Sequence, residues 1–146
     1  MTSLRIRVGA LCCENHSILL VRHEKEGKTY WMPPGGGMRA GEPAEEALVR
    51  EVFEETSIRV ACERVVCICE SVWPDRERHV VHFLYETKRV GGEAGKSHDP
   101  RVTGSAFIST DSLDTIALYP PIRAWLAECA STGFPNAPVY LGPLWK

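Results

Sequence analysis

Apolar positions alternate with polar ones from Leu4 and then run together toward Cys13, the pattern of a strand that enters the interior along its length. Glu14-Asn15-His16 is a polar turn and Ser17 to Arg22 a second apolar run, so the chain is predicted to open as a β-hairpin. Glu24 to Thr29 reads as a charged loop and Tyr30 to Met32 as a short apolar stretch. Pro33-Pro34-Gly35-Gly36-Gly37 suits neither a helix nor a central strand and reads as a shaped loop. A helix is predicted over about 43–56, because Pro43 fits a first helical position and Glu45 and Glu46 fall in the electropositive first turn.

Arg59 to Ser71 and Arg78 to Lys88 are rich in Val, Ile and Cys and predict two strands joined by the polar connection Trp73 to Glu77. Val90 to Arg101 reads as a mobile connection, Ala106 to Ile108 as a short strand, and Pro121 to Ala130 as a second amphipathic helix. From about residue 131 the chain becomes a tail. Its prolines at 135, 138 and 143, set among Val139, Tyr140, Leu141, Leu144 and Trp145, predict an extended, partly apolar segment that covers the core or a partner subunit. Strands broken by two helices imply a layered α/β domain, and the length of 146 residues suits a single one.

Charge adds an exclusion. Seventeen basic against nineteen acidic residues leave a net charge of -2, which gives no broad attraction for a polyanion and argues against bulk nucleic acid as a partner. No apolar run approaches the roughly 18 residues of a membrane span, and Met1 to Gly9 lacks the long apolar stretch of a signal peptide, so a cytoplasmic protein is expected. The six cysteines include the adjacent Cys12 and Cys13 and the alternating Cys67 and Cys69, with no CxxC pair; they read as small packed hydrophobes.

The candidate chemistry lies on the first helix. Glu51, Glu54 and Glu55 are spaced by three and four and share one helix face. At about 6 Å and an effective dielectric near 20, each like-charge pair repels by roughly 2 to 3 kcal/mol unless a cation intervenes. All-oxygen ligands of high negative charge suit Mg²⁺ or Mn²⁺, and no His/Cys pattern suggests zinc. An isolated ExxEE is more often a solvated helix face. Here Ala44 and Ala47 project to the carboxylate side, where small side chains leave room for a ligand, while Val49 and Phe53 project to the opposite side. Arg50 is placed to pair with a carboxylate, and the three glycines let backbone approach a ligand closely.

Gly36, Glu42, Arg50, Glu51, Val52, Glu54, Glu55 and Ile58 together match the Nudix box, GX5EX7REUXEEXGU, in which U is a bulky aliphatic residue. The chain thereby resembles the Nudix hydrolases, and Trp31, the PPGGG segment and the flanking strands are similar to the family's surroundings. Ser57 stands where the family has glycine, which implies a different or strained helix exit. The resemblance implies an α/β/α sandwich with a mixed central sheet. It implies that Glu51, Glu54, Glu55 and the Gly35 carbonyl hold Mg²⁺ or Mn²⁺, that Glu42 supports the loop, and that Arg50 orients Glu51. It also implies a phosphoanhydride-cleaving hydrolase in which Glu54 or Glu51 takes the proton of the attacking water, with Glu86 and Glu93 as lesser candidates.

For the nucleotide, Trp73 and Tyr85 are candidates to stack on a base, and Arg22, His23, Arg39, Arg76, Arg78 and His82 to meet phosphate or ribose. Pro74 lies 16 residues beyond Ile58, similar to the proline of some ADP-ribose-hydrolysing members, and tilts the reading toward ADP-ribose or a nucleotide sugar. A nucleoside triphosphate or dinucleoside polyphosphate hydrolase, and a non-catalytic nucleotide-binding module, remain as alternatives. The resemblance and the apolar tail leave a homodimer open.

Overall fold

The computed structural model describes residues 3–144; Trp145 of the predicted tail lies outside the described residues. The opening alternation forms β1 (Ser3–Glu14), and β2 (Ser17–Lys25) returns antiparallel through a turn in which Asn15 and His16 both take left-handed backbone conformations. Two left-handed residues give a turn whose twist matches that of the paired strands. There follow β3 (Lys28–Met32), β4 (Gly35–Gly37), α1 (Ala44–Thr56), β5 (Arg59–Val72), β6 (Arg78–Gly91), β7 (Val102–Ser109), α2 (Arg123–Cys129) and β8 (Val139–Pro143). The strands run in the order β3-β2-β1-β6-β5-β8, with β4 on β1 and β7 on β2. The sheet is mixed: β1 is parallel to β6 and β5 to β8, and the other pairs are antiparallel.

Alternation along β1 divides its side chains between two cores. Val8, Ala10 and Cys12 meet Ala47, Leu48 and Val52 of α1, whereas Leu11 meets Leu84, Leu126 of α2 and Phe134. Thus α1 and α2 cover opposite faces of the sheet, as an α/β/α sandwich requires. Each fully buried side chain such as Leu48 contributes about 1.5 to 3 kcal/mol. The tail covers the core of its own chain: Phe134 is buried against Trp125, and β8 extends the sheet beside β5. Cys12, Cys67, Cys69 and Cys129 are buried, and burial pushes the Cys13 thiol up to about 12 and that of Cys62 to about 11.

Several expectations change. The glycine stretch is a short strand rather than a loop, because lack of a Cβ lets it lie against β1; a Cβ on Gly35 would stand 1.9 Å from the Val8 carbonyl oxygen. Ala47 does not leave room at the carboxylates; it is fully buried in the α1 core, and Ala44 packs against the same cluster. Val49 is 38% exposed, and Phe53 lies under the Arg59 guanidinium rather than in the core. The segment expected to be mobile is bonded to the end of α1: the amides of Gly95 and His98 donate to the carbonyls of Thr56 and Glu54 at 2.9 and 2.7 Å. Those carbonyls have no partner within the helix, so this segment completes it. Ser57 takes the left-handed conformation that glycine would (φ 66°), and its hydroxyl donates to the Lys96 carbonyl at 3.0 Å.

Candidate active site

α1 begins after a loop that carries Glu42, and that loop brings the Glu42 carboxylate beside Arg50 at the end of the second helical turn. There Arg50 grips it with two hydrogen bonds, Nε to Oε2 at 2.8 Å and Nη2 to Oε1 at 2.9 Å. The Nη1 of the same guanidinium donates to Glu51 at 3.1 Å and to Glu54 at 3.4 Å. One arginine therefore organises three carboxylates, in the bidentate geometry its planar fork favours. Glu42 is held below the usual carboxylate range by this contact, and Arg50 is driven above its ordinary value by Glu42.

Glu55 points the other way. It is 2% exposed and its Oε1 accepts the Gly35 amide at 2.7 Å. Burial raises its pKa to about 7, while Arg7 and the Gly35 N–H work in the opposite direction. Gly36 closes the space between: a Cβ there would stand 2.5 Å from the Glu51 carboxyl carbon. Among the described residues no three His, Cys, Asp or Glu side chains form a ready cage, because Arg50 draws Glu51 and Glu54 while Gly35 draws Glu55.

The glycines and Glu55 open onto a cleft of about 410 Å³ that Arg5, Arg7, His23, Lys25 and Arg101 also line. Lys25 and Tyr30 continue into an adjoining cleft of about 320 Å³ beside Trp73, Arg78 and Tyr119. His23 stacks on Tyr30, with ring centroids 5.3 Å apart. Trp73 lies beneath the Arg78 guanidinium at 4.5 Å.

The remaining candidates lie elsewhere. Arg22 is bound to Thr103 at 3.0 Å, on β7. Arg39 borders a separate hollow with Glu42, and Arg76 one with Glu70 and Tyr140. Tyr85 is 9% exposed and packs in the core under α1, since its place in β6 turns it to that face. His82 is buried, with Nε2 3.1 Å from the Ser71 hydroxyl. Glu86 pairs with Arg64 at 3.1 Å, and Glu93 is exposed. Residues the sequence reading missed are Arg7 and Arg101. Two arginines at alternate positions of β1, Arg5 and Arg7, where an inward strand face would carry apolar residues, were the available signal.

A mixed sheet between two helices, with an arginine-tied set of glutamates on the helix after a glycine strand, defines the class of fold and site. A NUDIX domain model matches residues 3–129, and the chain belongs to the Nudix family. An ADP-ribose pyrophosphatase of Methanocaldococcus jannaschii is 30% identical over 104 residues, which cover 71% of this chain and 60% of that protein. The phosphatase NudJ of Escherichia coli is 26% identical over 116 residues, 79% of this chain and 75% of the relative. Among solved structures, a NUDIX hydrolase from Nitrosomonas europaea shares the fold with a TM-score of 0.78 at 21% identity, covering 90% of this chain and 91% of the other. No helix among the described residues is long and apolar enough to cross a membrane.

Proposed function

We propose that this chain is a divalent-metal-dependent hydrolase of a phosphoanhydride bond in a nucleoside diphosphate linked to another group, with ADP-ribose or a nucleotide sugar as the substrate class. The observation that carries this reading is the gathering of Glu42, Glu51 and Glu54 around one arginine, with Glu55 one turn away on the Gly35 amide at the edge of a basic cleft. The donor set fits Mg²⁺ or Mn²⁺: the ligands are oxygens, the carboxylates outnumber the arginine that ties them, and the absent Cβ of Gly36 leaves the Glu51 carboxylate its space. Glu51, Glu54, Glu55 and the Gly35 carbonyl would hold the ion. When bound, such an ion supplies neutralisation of charge on the phosphoryl oxygens and a lowered pKa for water.

The chain's own groups do the rest. Arg50 fixes Glu51 and Glu54 in orientation, Glu42 fixes Arg50, and the Gly35 N–H fixes Glu55. Glu54, the most exposed of these carboxylates at 45%, or Glu51 accepts the proton of the attacking water. The slot beside Tyr30, Trp73 and Tyr119 has the aromatic lining that suits a nucleobase. This supports a nucleotide substrate, as does the ADP-ribose pyrophosphatase among the relatives.

The test is product release from ADP-ribose, nucleotide sugars, dinucleoside polyphosphates and nucleoside triphosphates with Mg²⁺ or Mn²⁺, and with chelator. Metal-dependent AMP release from ADP-ribose supports the reading, and pyrophosphate release from a triphosphate as the dominant reaction replaces it with a triphosphate hydrolase. Nucleotide binding without cleavage of any compound would make the chain a binding module.

A further inference from the structure

Arg7 enters the cleft from β1 beside the strand of glycines, and no role in the glutamate network accounts for it. Its Nη2 donates to the Pro33 carbonyl at 3.1 Å, and its Nη1 is sealed from solvent without an acceptor. Among the described residues it makes no ion pair. Glu55 exerts the largest attraction on it but directs Oε1 to the Gly35 amide instead. Around the same cleft Arg5 and Lys25 also lack an ion-pair partner among the described residues, and Arg5, Arg7, Lys25 and Arg101 outnumber the Glu24 and Glu55 carboxylates of the lining.

A guanidinium with one backbone acceptor, an Nη1 buried without any, and its nearest carboxylate bonded elsewhere costs the chain that holds it stability, and an apolar side chain of similar volume would serve the fold better. Such a group signals a ligand of opposite charge. The neighbours narrow the ligand. Glu55 and Gly35 belong to the glutamate network, so an anion at Arg7 lies within reach of a group held there, and the adjoining aromatic slot begins at Tyr30, which the two clefts share.

We propose that Arg7 binds a non-bridging phosphoryl oxygen of the substrate's diphosphate without help from a metal ion. This rests on the reading that the cleft takes a diphosphate compound, and it makes Arg7 a substrate-binding residue whose loss raises KM more than it lowers kcat.

The experiment is titration calorimetry of the intact chain with inorganic pyrophosphate in excess chelator, with thermal melts in parallel, for wild type, Arg7→Met and Arg7→Lys. Wild type should bind pyrophosphate, Arg7→Met should bind at least about tenfold more weakly, and Arg7→Lys should fall between, since it keeps the charge but loses the fork. Ligand-free Arg7→Met should melt at or above the wild-type temperature, and pyrophosphate should raise the wild-type melting temperature but not that of the variant. Three results would overturn the proposal: no pyrophosphate binding by wild type, equal affinity in Arg7→Met, or a ligand-free Arg7→Met that melts well below wild type, which would make Arg7 a strut for the Pro33 loop. Because chelator is present throughout, these outcomes are independent of whether any compound is hydrolysed.

Discussion

The Glu55 carboxylate accepts the Gly35 amide at 2.7 Å across 20 residues of sequence, and that bond joins the helix of glutamates to the glycine strand. It places a nearly sealed carboxylate against the backbone of the glycine strand. Substituting Glu55→Gln keeps an acceptor for Gly35 and removes a buried charge. Metal-dependent turnover should drop by about a hundredfold or more, while the melting temperature holds or rises. Steady-state kinetics and a thermal melt on the same preparation check both halves.

Gly36→Ala separates the site from the fold in another way. The new methyl would stand 2.5 Å from the Glu51 carboxyl carbon, so Glu51 must move, and that carboxylate is the far end of a flexible side chain. Stability should fall by no more than about 1 to 2 kcal/mol, whereas a ligand shifted by about 1 Å should lower activity by about a hundredfold. An active Gly36→Ala enzyme would show that Glu51 is not positioned for chemistry. Gly35→Ala offers the contrast, because its methyl would meet the Val8 backbone at 1.9 Å and the fold itself should suffer.

Arg50→Lys keeps the charge but cannot bond Glu42 through two nitrogens while also reaching Glu51. We expect activity to fall by at least about tenfold with the fold intact by circular dichroism. Wild-type rates in this variant would reduce Arg50 to a surface ion pair.

His82 sets a pH dependence of stability that is separate from the glutamates. Burial lowers its pKa to about 3, with Arg7 adding to the effect, and Ser71 and the edge of Tyr119 are its neighbours. An unfolded chain has this group near its ordinary value of about 6.5. Below that pH the unfolded state takes up a proton that the native state refuses. Stability from this group is therefore complete above about pH 6.5 and falls as pH drops toward 3, by at most about 1.4 kcal/mol per pH unit. Denaturant unfolding between about pH 7 and about pH 4.5 should show this slope in wild type and a shallower one in His82→Phe.

The sequence made β1, β2, β5, β6 and α1 legible because those depend on local periodicity, whereas the glycine strand and the turn of Glu55 toward Gly35 depend on how β4 lies against β1 and α1. Tyr85 was misread for want of a reference: period-two alternation says which residues share a face but not which face meets the helix. The segment before Arg101 is polar and glycine-containing, and its order comes from bonds to the Glu54 and Thr56 carbonyls, which composition does not report. Arg7 was passed over because its isolation is a tertiary fact, created only when the Pro33 loop and the glycine strand close around it.

Binding of Mn²⁺, followed by electron paramagnetic resonance during titration of wild type, Glu54→Gln and Glu55→Gln, tests the central claim without reference to any substrate. The account predicts a site in wild type that each substitution weakens by at least about tenfold. Mn²⁺ affinity unchanged in both variants would contradict it and place any metal-dependent chemistry of this chain elsewhere.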